Sequence, residues 1–176
     1  MNDLLPSVRA VLETTAPRWL ALASTLPLDL LRRPPLPGEW SAVECLQHLR
    51  DAERDVFPVR VRAFLVGHDL IPYDPVAQGS GDMGETPQAL ADEFARLRQQ
   101  SLAHLAQVQP GDLNREVIHG EYGTVRLAEL LHEWAAHDLM HTVQAEQALM
   151  QPFVAGSGPW RSSFGAHDVA RESQAG

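Results

Sequence analysis

The stretch that decides the fold is His132-Glu133-Trp134-Ala135-Ala136-His137-Asp138-Leu139-Met140-His141-Thr142-Val143-Gln144. Its spacing predicts a helix, because Leu127, Leu130, Leu131 and Trp134 recur at the three- and four-residue intervals of a core stripe. His137 and His141 then fall where the next two apolar residues of that stripe belong. Imidazoles four residues apart lie one above the other on a helix face, with a rise of about 6 Å between their Cα atoms. Both rings can therefore converge on one point. A polar group that interrupts a core stripe needs a partner, since burying it alone costs about 2–7 kcal/mol. A metal ion is one such partner, and a hydrogen bond inside the core is the other.

His132 and Glu133 invite comparison with the H-E-x-x-H zinc protease motif, but here the second histidine comes five residues after the first. Five residues turn a helix by about 140° beyond a full circle, so His132 and His137 cannot share an ion.

Outward from this helix, the chain reads as three more. The first covers about residues 5–26, where Leu5, Val8, Val11, Leu12, Trp19, Leu22 and Leu26 form a stripe that Pro17 is expected to kink or interrupt. A proline-rich connector follows to Gly38. The second helix has the clearest start signal, the capping box Ser41-Ala42-Val43-Glu44 preceded by Trp40. Cys45, Leu49, Ala52, Val56 and Val59 give its core face, His48 lies beside that face, Pro58 is expected to bend it and Gly67 to end it. Residues 68–85 read as a long irregular connection. Within it, Gly79–Gly84 matches G-x-G-x-x-G but lacks the preceding strand that a nucleotide site requires. The third helix starts at Thr86-Pro87, with Leu90, Phe94, Leu97, Leu102 and Leu105 on one face. Residues 112–123 read as a loop, and Thr124 as the cap of the fourth helix, which is expected to run to about Met150. With no strand alternation in view, the expectation is an all-α, four-helix bundle domain over residues 1–165, with a disordered tail at 166–176.

Composition narrows the function. The 176 residues are 44% hydrophobic and 21% charged, as in an ordinary globular domain. The net charge of −9 disfavours nucleic acid as a partner. The fourteen basic residues are all arginine and are scattered along the chain. A single cysteine, Cys45, excludes an intrachain disulfide framework and a cysteine-based zinc finger, and it reads as a small buried apolar residue. No apolar run is long enough to span a membrane, and no signal peptide is visible, so the cytoplasm is the expected location.

Three segments carry a family resemblance. Trp40-Ser41-Ala42-Val43-Glu44-Cys45-Leu46-Gln47-His48-Leu49-Arg50-Asp51-Ala52-Glu53 resembles the W-S-x-x-E-x-x-x-H-L-x-x-x-E segment of the DinB/YfiT-like superfamily. His137-Asp138-x-x-His141-x-x-Gln144 resembles its last-helix H-x-x-x-H motif, and Gly120 to Leu127 resembles the entry to that helix. The resemblance implies an up-down-down-up bundle with one long connection between helices 2 and 3. It also implies a homodimer and a divalent ion (nickel, zinc, manganese or iron) held by His48, His137 and His141. The activity it implies is transfer of a low-molecular-weight thiol, such as bacillithiol or mycothiol, to small electrophilic substrates. A metal-dependent hydrolase and a non-catalytic, stress-related metal-binding bundle are the alternatives.

A metal-bound imidazole donates its other N–H to an acceptor. Glu53 and Asp138 are the candidates to receive it, with Glu44 and Glu133 also chemically able, while Gln144, nearly one turn beyond His141, is a candidate to orient a water. Trp134 reads as core. His68, His104, His119 and His167 have no supporting spacing and read as surface or structural residues.

Overall fold

The computed structural model describes residues 4–70 and 84–172, with side chains to residue 170. Helix α1 (Leu4–Thr25) is followed by the single turn α2 (Leu28–Leu31), then by α3 (Ala42–Asp55) and α4 (Phe57–Val66). Helix α5 covers Pro87–Leu105. Strands β1 (Glu116–His119) and β2 (Gly123–Arg126) form an antiparallel hairpin that leads into α6 (Leu127–Gly156). A 3₁₀ stretch at Gly158–His167 and the short α7 (Val169–Glu172) follow. Most of the expected long connection, with the Gly79–Gly84 motif up to Met83, lies outside the described residues, as do residues 173–176 of the expected tail. Past Gly165, Asp168 is buried and takes two hydrogen bonds from Arg161, while Val169 N–H donates to Gln151 on α6.

Local chemistry sets the helix ends. Ser41 Oγ accepts from the Glu44 N–H, and the Glu44 carboxylate accepts from the Ser41 N–H at 2.8 Å, so α3 opens with a full capping box. Thr86 caps α5 through the Ala89 N–H, with Pro87 in the first turn. Pro17, expected to kink or interrupt the first helix, does not interrupt it, and the expectation at Pro58 needs correcting. Helix α1 carries Pro17 as one continuous element, with Val8, Leu12, Ala16 and Trp19 buried on either side. Burial of about 1.5–3 kcal/mol per large apolar side chain outweighs the roughly 3 kcal/mol that an interior proline costs. The second expected helix does not bend at Pro58. It breaks at Val56 (φ −116°, ψ −78°), and Pro58 then sits in the first turn of α4, where its missing N–H leaves no bond unmade. Gly67 ends α4 in the left-handed region, at φ 74°.

The hairpin corrects the reading of residues 112–123 as loop. Thr124 pairs with Ile118 instead of capping α6, and Glu129 accepts from the Arg126 N–H in its place. Four residues per strand are too few for alternation to show, and Val117 is the buried side chain of β1. Leu70 N–H donates to Ile118 O, tying the hairpin to the segment that follows α4.

Side-chain pairs define the bundle. Thr15 meets Asp138 and Arg18 pairs with Glu146, so α1 and α6 run parallel. Trp40 stacks on His141 while Phe57 stacks on Trp134, so the α3–α4 arm runs antiparallel to α6. Arg50 meets Glu93 and Glu53 meets Arg98, which makes α3 and α5 parallel. The result is the up-down-down-up four-helix bundle. Its apolar core forms two clusters, one around Leu12, Phe57, Phe64, Leu105 and Trp134, the other around Trp19, Leu46, Leu90, Phe94 and Leu149. Along every long helix a buried polar residue falls between the two: Thr15, Glu53, Arg98 and Asp138.

Candidate metal centre

The capping box of α3 sets the register that turns His48 toward α6. His48 Nε2 lies 3.0 Å from His137 Nε2, and one ligand atom from each of His48, His137 and His141 lies within 4.8 Å of the others. Nitrogens bound at about 2.0–2.1 Å to one tetrahedral ion stand about 3.3 Å apart, so the cluster has the dimensions of a coordination site. His141 Nδ1 is 2.8 Å from Gln144 Oε1. An amide oxygen only accepts, so Nδ1 carries the proton and Nε2 presents its lone pair.

Burial, and then the neighbouring imidazoles, push His48 down to about 4 and His137 down to about 3; burial also lowers His141. All three are neutral near pH 7, the form that binds metal. Two neutral Nε2 atoms at 3.0 Å share at most one proton, and His137 Nδ1 is buried with no partner among the described residues. A cation would take the lone pairs of the converging Nε2 atoms, while His137 Nδ1 would remain without a partner among the described residues. Three nitrogen donors suit zinc, nickel or iron better than magnesium or calcium.

Gln144, expected to orient a water, instead accepts from the His141 imidazole on its own helix. Glu53 and Asp138, expected behind the ligands, do not reach an imidazole: both are drawn to Arg98, which is 1% exposed. Arg98 Nη1 donates to Asp138 Oδ2 at 2.6 Å, and Nη2 donates to Asp138 Oδ1 at 3.0 Å and to Glu53 Oε2 at 2.8 Å. Thr15 Oγ1 adds a bond of 2.7 Å to Asp138. Burial opposes the charge on Arg98, yet the two carboxylates hold its pKa above the ordinary arginine value. Glu44 is spent on the cap, and Glu133 lies 3.9 Å from Arg60. Cys45 is fully buried in the core, and burial followed by Glu44 pushes its thiol up to about 12, so it stays protonated and inert.

The triad lines a pocket of about 400 Å³. Trp40 stacks on His141 at 5.7 Å between ring centroids, and Phe57 meets His137 edge-on at 5.0 Å. Arg60, His119, Tyr122 and Glu133 line it too. Sequence reasoning missed Trp40, Phe57, Arg60 and Arg98 as parts of the site or its support. Trp40 had a signal in its place directly before the cap; Arg60 and Arg98 had none, since an arginine's partners are set by tertiary packing. His119, read as surface or structural, lines the pocket, and its Nδ1 accepts from the Glu121 N–H.

The family model of the DinB superfamily matches residues 12–145, most of the chain and all three histidines. The chain belongs to the DinB superfamily. A comparison with curated proteins finds no match. Among solved structures, this DinB-superfamily chain resembles YfiT from Bacillus subtilis, at a TM-score of 0.70 and 20% identity. The match covers 82% of this chain and 85% of that one. YfiT is described as a probable metal-dependent hydrolase with an unusual four-helix bundle topology. At this identity the likeness establishes the fold. Among the described residues, no helix is long and apolar enough to cross a membrane.

Proposed function

We propose that the chain is a metal-dependent enzyme that transfers a low-molecular-weight thiol to a small electrophile, with His48, His137 and His141 as the ligands. The observation that carries this reading is the convergence of three neutral imidazoles from two helices in the lining of an open pocket. Three protein ligands leave coordination positions for a reactant, as catalytic sites do and closed structural sites do not. A divalent ion held there supplies Lewis acidity, lowering the pKa of a thiol or water that reaches it.

The protein's own contribution is orientation and exclusion of water. Gln144 fixes the His141 ring, and Trp40 and Phe57 wall the two outer imidazoles. With Cys45 buried and protonated, the nucleophilic sulfur comes from a co-substrate thiol such as bacillithiol or mycothiol.

A hydrolase activating water at the same ion is the second reading, favoured by the description of YfiT. Metal content of single His48→Ala, His137→Ala and His141→Ala variants tests the site; full occupancy in all three would refute it. A panel of thiols and electrophiles, assayed before and after verified metal removal, separates the readings. Thiol-dependent, chelator-sensitive turnover is expected. Thiol-independent, chelator-sensitive hydrolysis would select the hydrolase, and no turnover with metal-dependent stability would select a non-catalytic bundle.

A homodimer, which we also propose, finds support in a second apolar stripe on α6. Leu139, Met140 and Val143 are 46%, 54% and 61% exposed, on the side of the helix opposite its core residues. Light scattering of a Val143→Glu variant tests it: a monomer is expected where the wild type is a dimer.

A further inference from the structure

Arg50, Arg98 and Arg60 all keep their side chains largely out of solvent, at 6%, 2% and 13% exposure. They are not partnered alike. Arg50 donates to Asp51, Glu85 and Glu93, and Arg98 to Asp138, Glu53 and Thr15. Among the described residues, the ion pair of Arg60 is with Glu133 at 3.9 Å, beyond hydrogen-bond reach. None of the Arg60 nitrogens is a buried atom without a partner, so water reaches the donors that no described group takes, and an anionic ligand can replace that water. Arg60 lines the same pocket as His48, His137 and His141, and also an adjoining recess of about 220 Å³. His119 lines both cavities; because its Nδ1 accepts from the backbone, its Nε2 bears the proton and is a second donor.

We propose that Arg60, assisted by His119, anchors a carboxylate of the substrate, which is a small carboxylic acid whose other end reaches the three histidines. The proposal rests on the metal-site reading and names the substrate class for that site. A planar guanidinium matches a carboxylate through two parallel hydrogen bonds. Glu121 and Glu133 line the same pocket, so a doubly charged phosphate is repelled where a single carboxylate is tolerated.

The test uses the full chain loaded with cobalt(II) and follows its visible absorption during titration with 3-mercaptopropionate or its neutral amide. The wild type is expected to bind the acid at least about tenfold more tightly than the amide, the low end for charge-assisted hydrogen bonds. Arg60→Gln abolishes that preference, because acid binding weakens to the level of the amide. Glu133→Gln removes the competing carboxylate and tightens acid binding, which keeps the proposal testable should Arg60→Gln fail to fold. Equal affinity for acid and amide in the wild type overturns it. So does an acid preference that survives Arg60→Gln, which would mean that the carboxylate chelates the ion. Failure of the metal site reads differently, as a wild type that takes up no cobalt. Calorimetry with the same acid then decides on the anchor, and binding that Arg60→Gln does not weaken overturns it.

Discussion

Two polar clusters share helices α3 and α6, five residues apart on the first and adjacent on the second, and they are built on opposite rules. Around Arg98, cation and carboxylates complement one another; Arg98 alone makes five hydrogen bonds, to Leu12 O, Thr15, Glu53 and, twice, Asp138. At His48, His137 and His141, three like groups turn nitrogen toward nitrogen and open onto a pocket. The first cluster balances its charges internally and opens on no pocket, although Arg98 Nε and Glu53 Oε1 are buried without a partner among the described residues. The second has no such balance. Burial of polar groups therefore does not mark function by itself; burial without internal complementarity does. Arg60 differs from Arg98 in a similar way: it lines the pocket, and its one ion pair among the described residues is the long contact with Glu133.

The contrast can be broken most directly at Arg98. Arg98→Met strands two buried carboxylates and is expected to lower unfolding stability by about 3–5 kcal/mol in denaturant titrations; a change under about 1 kcal/mol would show that the cluster is not the structural one. Next in size is Gln144→Leu, which removes the brace on His141. Metal affinity in a competition titration should fall about 10- to 100-fold, while stability without metal holds. Thr15→Val takes one hydrogen bond from Asp138 and should cost about 1 kcal/mol of stability with metal binding intact. The smallest effect is expected from His48→Ala in the metal-free protein, within about 1 kcal/mol of wild type, because without an ion the ring makes one nitrogen-to-nitrogen hydrogen bond, to His137. A loss as large as that of Arg98→Met would make the histidines part of the structural core.

Legibility followed the range of the interactions. The capping box at Ser41 and Glu44, the stop at Gly67 and the start at Thr86-Pro87 are readable because each is made between residues at most four apart. His137 and His141 are readable for the same reason, as one helical turn separates them. The hairpin at 116–126 was missed because its pairing is stabilised by contacts to Leu70 and α6 more than by its own four-residue pattern. Glu53 and Asp138 were assigned to the imidazoles because their partner, Arg98, lies 40 or more residues away and looks like any surface arginine.

By itself, the sequence determined the helices, their caps and the two histidines on one face, since these depend on spacing along one chain segment. The third histidine, His48, is suggested by its place beside the core stripe of another helix, and the family resemblance adds the triad. Tertiary structure alone decided the partners: that His48 meets His137 at 3.0 Å, that Glu53 and Asp138 close on Arg98, and that Arg60 and His119 share the pocket. Helix propensity and capping act over a few residues, whereas the partner of a charged or metal-binding side chain is chosen by how the helices pack. The same carboxylate is a brace, a salt bridge or a surface group according to what the bundle places beside it.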